Sequence, residues 1–175
     1  MDHYDVTPVE GMHPELGLLV ATWRDSSREW RESLGEVSDA AVVWQPYPNG
    51  PSIGGLVLHM VACDLYWIEA MLFDKGYDSL TGEAVEYDKQ VDQYVPHWPT
   101  PPAKPMAWYL DLLDKTRAEM QALVATADDP ERILERGGRY SFTCRWVLAH
   151  ALEHDSYHGG QAVLLHEMWK QTVKK

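Results

Sequence analysis

The feature that most constrains the fold is a histidine-rich stretch near the C-terminus, residues 143–169. It carries four of the eight histidines in the chain, and three of them, His150, His154 and His158, follow one another at steps of four. Because an α-helix turns about 100° per residue, these three side chains share an arc of about 80° on one helix face. Val147 lies on the same arc, so the pattern directs the imidazoles inward, where a helix directs its core side chains.

Imidazoles on an inward face need an explanation, since each buried ring nitrogen must find a partner. A divalent metal ion is the simplest single partner for several neutral imidazoles. At a spacing of four, His154 and His158 can aim at one point and bind an ion at about 2.0–2.1 Å. The alternative is that this spacing occurs by chance, since H-x-x-x-H is common on helices.

Composition limits the classes of protein that the chain can belong to. Its 175 residues, 45% hydrophobic with eight tryptophans, are enough for one folded domain over 1–175. A formal net charge of −12 argues against nucleic acid or an anionic membrane surface as a partner. We see no apolar run of the roughly 18 residues that a membrane span needs and no signal peptide, so we expect a cytoplasmic protein.

Hydrophobic periodicity predicts four long helices and a short one. Apolar residues recur at steps of three and four, and the predicted ranges are 14–36, 53–75, 105–126 and 144–171, with a short helical turn up to residue 43. Ser38, Ser52 and Thr143 are the predicted N-caps. The sequence therefore predicts an all-α fold, a four-helix bundle with a long crossover between its second and third helices.

Two further segments carry expectations of their own. Residues 77–104 show no helical or strand period, and we expect a loop that either roofs a pocket or meets a second subunit. Gly159 and Gly160 lie inside the fourth helix, where glycine is unfavourable by about 1 kcal/mol relative to alanine. Close helix packing, or access for a bulky group beside His158, would explain them.

A third metal ligand must come from another helix. His59 is the only histidine on the inward stripe of the second helix, so we expect it to meet His154 and His158. Three histidines leave one metal position open, which is typical of catalytic rather than structural zinc. Cys63 lies four residues after His59 on the same face and is a candidate fourth ligand, although a core thiol is the favoured interpretation.

Other residues near the ligand faces are candidates for the surroundings of the site. His150 is either a ligand or part of the pocket wall, and Gln161 shares its arc. Trp67 and Tyr157 are candidate pocket walls, with core packing as the favoured alternative. Asp155, beside His154, points to another face and is expected to be a surface charge.

Several sharper templates are absent from the sequence. There is no H-E-x-x-H metalloprotease motif, no G-x-S-x-G, no P-loop and no dinucleotide-binding fingerprint. The E-x-x-H pairs and buried glutamates of di-iron bundles are missing from the inward stripes. The histidine set is therefore the main chemical signal of the chain.

With these residues in place, the chain resembles the DinB/YfiT-like superfamily of metal-dependent bundle proteins. The resemblance depends on HALEHDSYHGGQ, residues 150–161, and on SIGGLVLH, residues 52–59. It implies that His59, His154 and His158 hold nickel or zinc at one end of the bundle, and that homodimers are frequent. The characterised enzymes of that superfamily include thiol-dependent S-transferases and a mycothiol-dependent maleylpyruvate isomerase.

The working hypothesis is therefore an enzyme with a divalent metal, zinc or nickel, that activates a low-molecular-weight thiol toward a small-molecule substrate. A metal lowers the pKa of a bound thiol and gives a thiolate at neutral pH. The reaction would be an S-transfer or an isomerisation. The alternatives are a hydrolase that uses metal-bound water, and a non-catalytic metal-binding bundle.

Overall fold

The computed structural model describes residues 4–174 except 93, 96 and 137, and it is mostly helical. Six α-helices are present among these residues: α1 Pro14–Leu34, α2 Asp39–Val43, α3 Ile53–Asp64, α4 Glu83–Asp88, α5 Met106–Val124 and α6 Cys144–Val173. Two short strands, β1 Ile133–Arg136 and β2 Tyr140–Thr143, precede the last helix. The all-α expectation is thus confirmed in outline.

The predicted N-caps are confirmed. The side chains of Ser38, Ser52 and Thr143 each accept a hydrogen bond from a backbone N–H in the first turn of α2, α3 and α6. Each cap satisfies one of the donors that a helix start leaves free. Helix α1 ends two residues earlier than predicted, because Gly35 adopts a left-handed φ of 65°.

The second predicted helix changes type along its length. After α3, the chain continues as a π-helix over Leu65–Leu72, and the N–H of Phe73 donates to the carbonyl of Ile68 at 3.1 Å. The helical rod ends at Leu72, three residues before the predicted end at residue 75. The hydrophobic pattern did not predict the π-helix. Residues of α3 and of the π-helix are both mostly apolar, so the change of helix type leaves no mark in that pattern.

The rod from Ile53 to Leu72 corrects one expectation. By length and composition it is apolar enough to cross a membrane, although we expected no such segment. However, 72% of its most apolar window is buried inside the protein, as in the core helix of a soluble protein. Its apolar character is therefore explained mainly by packing inside the protein.

The close packing of α3 on α5 and of α6 on α1 depends on one glycine at each contact. A Cβ at Gly54 would overlap the ring of Tyr109 in α5, and a Cβ at Gly159 would overlap the indole of Trp30 in α1. By contrast, nothing lies within 4 Å of a Cβ built at Gly160. Helix packing therefore explains Gly159 and leaves Gly160 without a structural reason.

The segment before α6 is a β-hairpin rather than a plain connector. Strand β1 pairs antiparallel with β2, with Ile133 opposite Thr143 and Arg136 opposite Tyr140. Strands of four residues are too short to show an alternating pattern, so the first strand had no signal in the sequence.

The crossover between the rod and α5 contains more regular structure than predicted. It begins with a 3-10 turn at Tyr77–Ser79, includes α4, and forms a bridge between Asp92 and His97. Helix α4 packs on α3, and its six residues are too few for a visible period. The crossover thus lies against the helix that carries His59.

The two adjacent glycines of α6 provide a matched stability test. We expect Gly159→Ala to destabilise the protein by about 1–3 kcal/mol, because the new methyl group overlaps the Trp30 ring. Gly160→Ala should be neutral or stabilise by up to about 1 kcal/mol through helix propensity. Urea denaturation of both variants measures the difference, and equal midpoints would contradict this packing.

Candidate metal centre

The rings of His59, His154 and His158 converge at one point between α3 and α6. The centroid of the His59 ring lies 4.8 Å from each of the other two, which are 4.3 Å apart. The Nε2 atoms of His154 and His158 are 3.1 Å apart. The expected meeting of the two helices through these imidazoles is therefore present.

Two oxygen acceptors orient the outer rings of this set. The Nδ1 of His59 lies 2.5 Å from Oδ1 of Asp88 in α4, and the Nδ1 of His158 lies 2.7 Å from Oε1 of Gln161. Since carboxylate and amide oxygens accept, each Nδ1 carries the proton and donates. The Nε2 of both rings is left as a lone pair, the arrangement that metal-bound histidines typically show.

Burial keeps two of these rings neutral. It lowers the pKa of His154 to about 2, with the nearby rings of His158 and His59 lowering it further. Burial and His59 lower the pKa of His158 to about 4, against the opposing effect of the Gln161 hydrogen bond. Neutral imidazoles are the form that binds metal, so at neutral pH these nitrogens are available as ligands.

The donor set fits a divalent metal. Two nitrogens that bind one tetrahedral ion at about 2.0–2.1 Å lie about 3.3 Å apart, close to the 3.1 Å between the two Nε2 atoms. His59, Cys63 and His154 also form a group in which each offers one ligand atom, all within 4.8 Å of one another. Imidazole and thiol ligands together suit zinc and similar ions.

Cys63 faces the site rather than a closed core. It is half-buried, and its Sγ lies 3.7 Å from Nε2 and 3.8 Å from Nδ1 of His59. Burial raises the pKa of the Cys63 thiol well above its ordinary value, and the carboxylates of Asp88 and Asp64 add to this. Cys63 therefore borders the candidate site, and its role as a fourth ligand stays a prediction.

A cavity of about 480 Å³ opens beside the histidines. It lies between α3, the π-helix, the crossover and α6, and its lining is largely aromatic: His59, Ala62, Cys63, Tyr66, Trp67, Tyr77, Leu80, Val85, Asp88, Tyr94, His150 and His154. Five of these residues come from the crossover, so this segment roofs a pocket, one of the two roles expected for it.

Trp67 and His150, two of the candidates for the surroundings of the site, lie together in the lining of the cavity, and Trp67 also packs against the core, the interpretation that was favoured for it. The His150 ring stacks on Trp146, with centroids 4.9 Å apart and planes 7° apart. The edge of Trp67 meets the same imidazole at 4.7 Å. His150 lies 6.2 Å from His154 between ring centroids, which places it beside the metal-ligand candidates.

Two other candidates behave differently. Tyr157 touches the ring of His158 at 4.9 Å between centroids, but it is 62% exposed and lies outside the cavity lining. Both its expected pocket role and the alternative of core packing are therefore wrong. Gln161 acts on the site through its hydrogen bond to His158 and is not a lining residue.

A buried ion triad lies directly behind the site. Arg117 in α5 donates from Nε to Asp64 Oδ2 at 3.0 Å and from Nη2 to Asp155 Oδ1 at 2.6 Å. Trp30 also donates to Asp155, at 3.1 Å. The expectation that Asp155 is a surface charge is wrong, since its side chain is fully buried. Burial raises the pKa of Asp64 to about 6, although the contact with Arg117 lowers it, and the nearby carboxylate of Asp155 adds to the rise.

Sequence reasoning missed Asp88 and this triad. Asp88 lies in a crossover with several other acidic residues, and no pattern distinguishes it. The triad had one signal, because Arg117 falls on the apolar face of its helix between Leu113 and Met120. An arginine at such a position needs a buried partner, and Asp64 and Asp155 each follow a candidate ligand by one residue.

The comparisons with known proteins define the class of protein. A family model described as the DinB superfamily matches residues 22–162. The chain therefore belongs to the DinB superfamily. A crystal structure of a conserved protein from Enterococcus faecalis has a similar fold, with a TM-score of 0.61 and 16% identity over 85% of this chain and 93% of that one. No curated protein matches the chain.

The triad yields a stability prediction. We expect Arg117→Leu to destabilise the protein by about 3–5 kcal/mol at neutral pH, because Asp64 and Asp155 become uncompensated buried charges. Burial already raises the pKa of Asp64 in the folded state to about 6, and loss of the guanidinium removes the contact that opposes this rise. The deficit should therefore shrink as the pH falls toward 4 and Asp64 binds a proton.

Chemical denaturation at several pH values measures this effect against wild type. Arg28→Leu is the control, because it removes two exposed ion pairs of α1 and should change stability little at any pH. An Arg117→Leu deficit that does not depend on pH would contradict the role of the carboxylates.

Proposed function

We propose that the protein is a metal-dependent enzyme that uses a low-molecular-weight thiol for S-transfer to, or isomerisation of, a small-molecule substrate. The observation that carries the proposal is the convergence of three imidazoles at the edge of a cavity of about 480 Å³. Membership of the DinB superfamily supports a metal at this place.

In this proposal the metal ligands are His59, His154 and His158, and the ion is zinc or nickel. The bound metal would act as a Lewis acid that lowers the pKa of a thiol and so supplies a thiolate at neutral pH. Three histidine ligands would leave one position of a four-coordinate ion for a thiol or water, which is the pattern of a catalytic site.

The remaining residues position and protect this centre. Asp88 and Gln161 hold the Nδ1 protons of His59 and His158, which keeps both Nε2 lone pairs directed inward. His150 is the group proposed to accept the thiol proton, since it lines the cavity beside His154. Trp67 and the crossover exclude bulk water from the reacting groups.

The cavity also defines the kind of substrate that we propose. Its size suits a small molecule, and its aromatic lining favours a body with apolar or planar surface. The net charge of −12 gives no support to nucleic acid or an anionic membrane as a partner. We further propose that the long helical rods form a single-domain four-helix bundle, and that the protein is a cytoplasmic homodimer.

The second prediction for the site concerns Asp88. We expect Asp88→Asn to weaken metal affinity by about 10–100-fold, because the neutral amide orients and polarises His59 less strongly than the carboxylate. Glu86→Gln, which changes an exposed carboxylate two residues earlier in α4, should leave affinity unchanged. Competition titration with a chromogenic zinc chelator measures both, and equal affinities would contradict the role of Asp88.

The experiment that tests the function is a screen of thiol-dependent consumption of electrophiles. Untagged, metal-loaded protein is offered mycothiol, bacillithiol or glutathione together with a panel of aromatic electrophiles. We expect turnover that requires both the metal and one of the thiols. His154→Ala should lose metal and turnover together, while its helical circular dichroism stays close to that of wild type.

The controls separate the alternatives. His166→Ala removes a buried histidine of the same helix whose Nδ1 donates to the carbonyl of Leu34, and it should keep its metal. Metal-dependent turnover without any thiol would favour the hydrolase. Wild-type protein that binds no zinc or nickel after purification without a metal column would overturn the enzyme proposal.

A further inference from the structure

Cys63 occupies a position that suits a metal ligand. In a tetrahedral zinc site with bond lengths of about 2.05 Å to nitrogen and 2.3 Å to sulfur, these two atoms lie about 3.6 Å apart. The Sγ of Cys63 lies 3.7 Å from the Nε2 and 3.8 Å from the Nδ1 of His59, so it lies beside the imidazole ring. The sulfur is therefore a neighbour of the nitrogen that would bind the ion, and it must move toward Nε2 to become a second ligand.

The two helices present matching pairs of donors. His59 and Cys63 are four residues apart on α3, and His154 and His158 are four apart on α6, so each pair lies on one helix face. His59, Cys63 and His154 already have ligand atoms within 4.8 Å of one another, and His158 reaches within 3.1 Å of His154. Two facing pairs are enough for a closed tetrahedral site.

We propose that Cys63 is the fourth protein ligand of the metal, and that an incoming thiol must displace it. This inference rests on the proposed metal site of the preceding subsection. On binding, the Cys63 thiol gives its proton to solvent and its sulfur forms a bond to the ion in place of a water molecule. In the exchange, the incoming thiol loses its proton and binds, and the released Cys63 thiolate takes up one proton.

The position of Cys63 in the cavity makes such an exchange feasible. The residue is half-buried and lines the cavity beside Ala62 and Trp67, so a second thiol can approach from the side where Cys63 is bound. Without a thiol the four protein ligands close the site, as in structural zinc sites. The resident thiolate would therefore protect the metal from water until a thiol arrives.

Cobalt(II) is the probe for this ligand. A thiolate bound to cobalt gives an intense near-ultraviolet charge-transfer absorption, which imidazole ligands do not give. We expect this band in wild-type protein loaded with one equivalent of cobalt and no added thiol. Cys63→Ala should lose the band and regain it on addition of 2-mercaptoethanol. Cys144→Ala, which removes the fully buried second cysteine, should keep the band of wild type.

Alkylation of wild-type protein provides a measurement that does not depend on a folded variant. We expect zinc to slow the reaction of Cys63 with iodoacetamide at least tenfold relative to chelator-treated protein, because a metal-bound thiolate is shielded from the reagent. Peptide mass spectrometry assigns the modified residue.

The outcomes separate this inference from the proposed function. Stoichiometric cobalt binding without the charge-transfer band, or zinc without effect on alkylation, would overturn the role of Cys63 and leave the histidine site intact. Absence of cobalt and zinc binding altogether would overturn the metal site as well, and metal analysis of the same samples distinguishes this case.

Discussion

The contact on which the rest of the structure depends is the ion triad formed by Arg117, Asp64 and Asp155. It ties α5 to α3 and α6 through side chains that are almost completely buried. Because Asp64 follows Cys63 and Asp155 follows His154 along the chain, the triad fixes the two helix segments that carry the candidate ligands. The relative position of their imidazoles is thus set by a charge network one layer behind them.

The ion triad supports the candidate site, and the crossover covers it through a separate set of contacts. The crossover contributes Asp88, which orients His59, and Trp98, whose ring meets the edge of the same imidazole at 5.4 Å. The backbone N–H of Trp98 donates to Asn49, which attaches the end of the crossover to the turn before α3. Ligand geometry and access to the cavity are therefore controlled by different parts of the chain.

Sequence patterns predicted the parts of the fold that repeat over several turns. The long helices and their caps at Ser52 and Thr143 followed from periodicity and local hydrogen-bonding chemistry. The meeting of His59 with the histidines of α6 followed from assigning each to an inward face. These inferences succeed because each depends on residues close together in one helix.

The features that sequence reasoning missed arise from contacts between distant segments. Asp155 was read as exposed because its helix face was judged from its neighbours, whereas Arg117 and Trp30 approach it from two other helices. Helix α4 and strand β1 were missed because they are too short to establish a period. Asp88 became identifiable only once α4 was seen to pack against α3.

The π-helix over Leu65–Leu72 has a consequence for how this chain can vary. A π-helix closes its backbone hydrogen bonds over one residue more than an α-helix does. Loss of a single residue from this stretch would let the rod tighten into α-helical geometry, in which each residue turns by about 100°, and would change the directions of the side chains inside the stretch. The aromatic wall of the cavity therefore depends on the number of residues in the rod as well as on their identity.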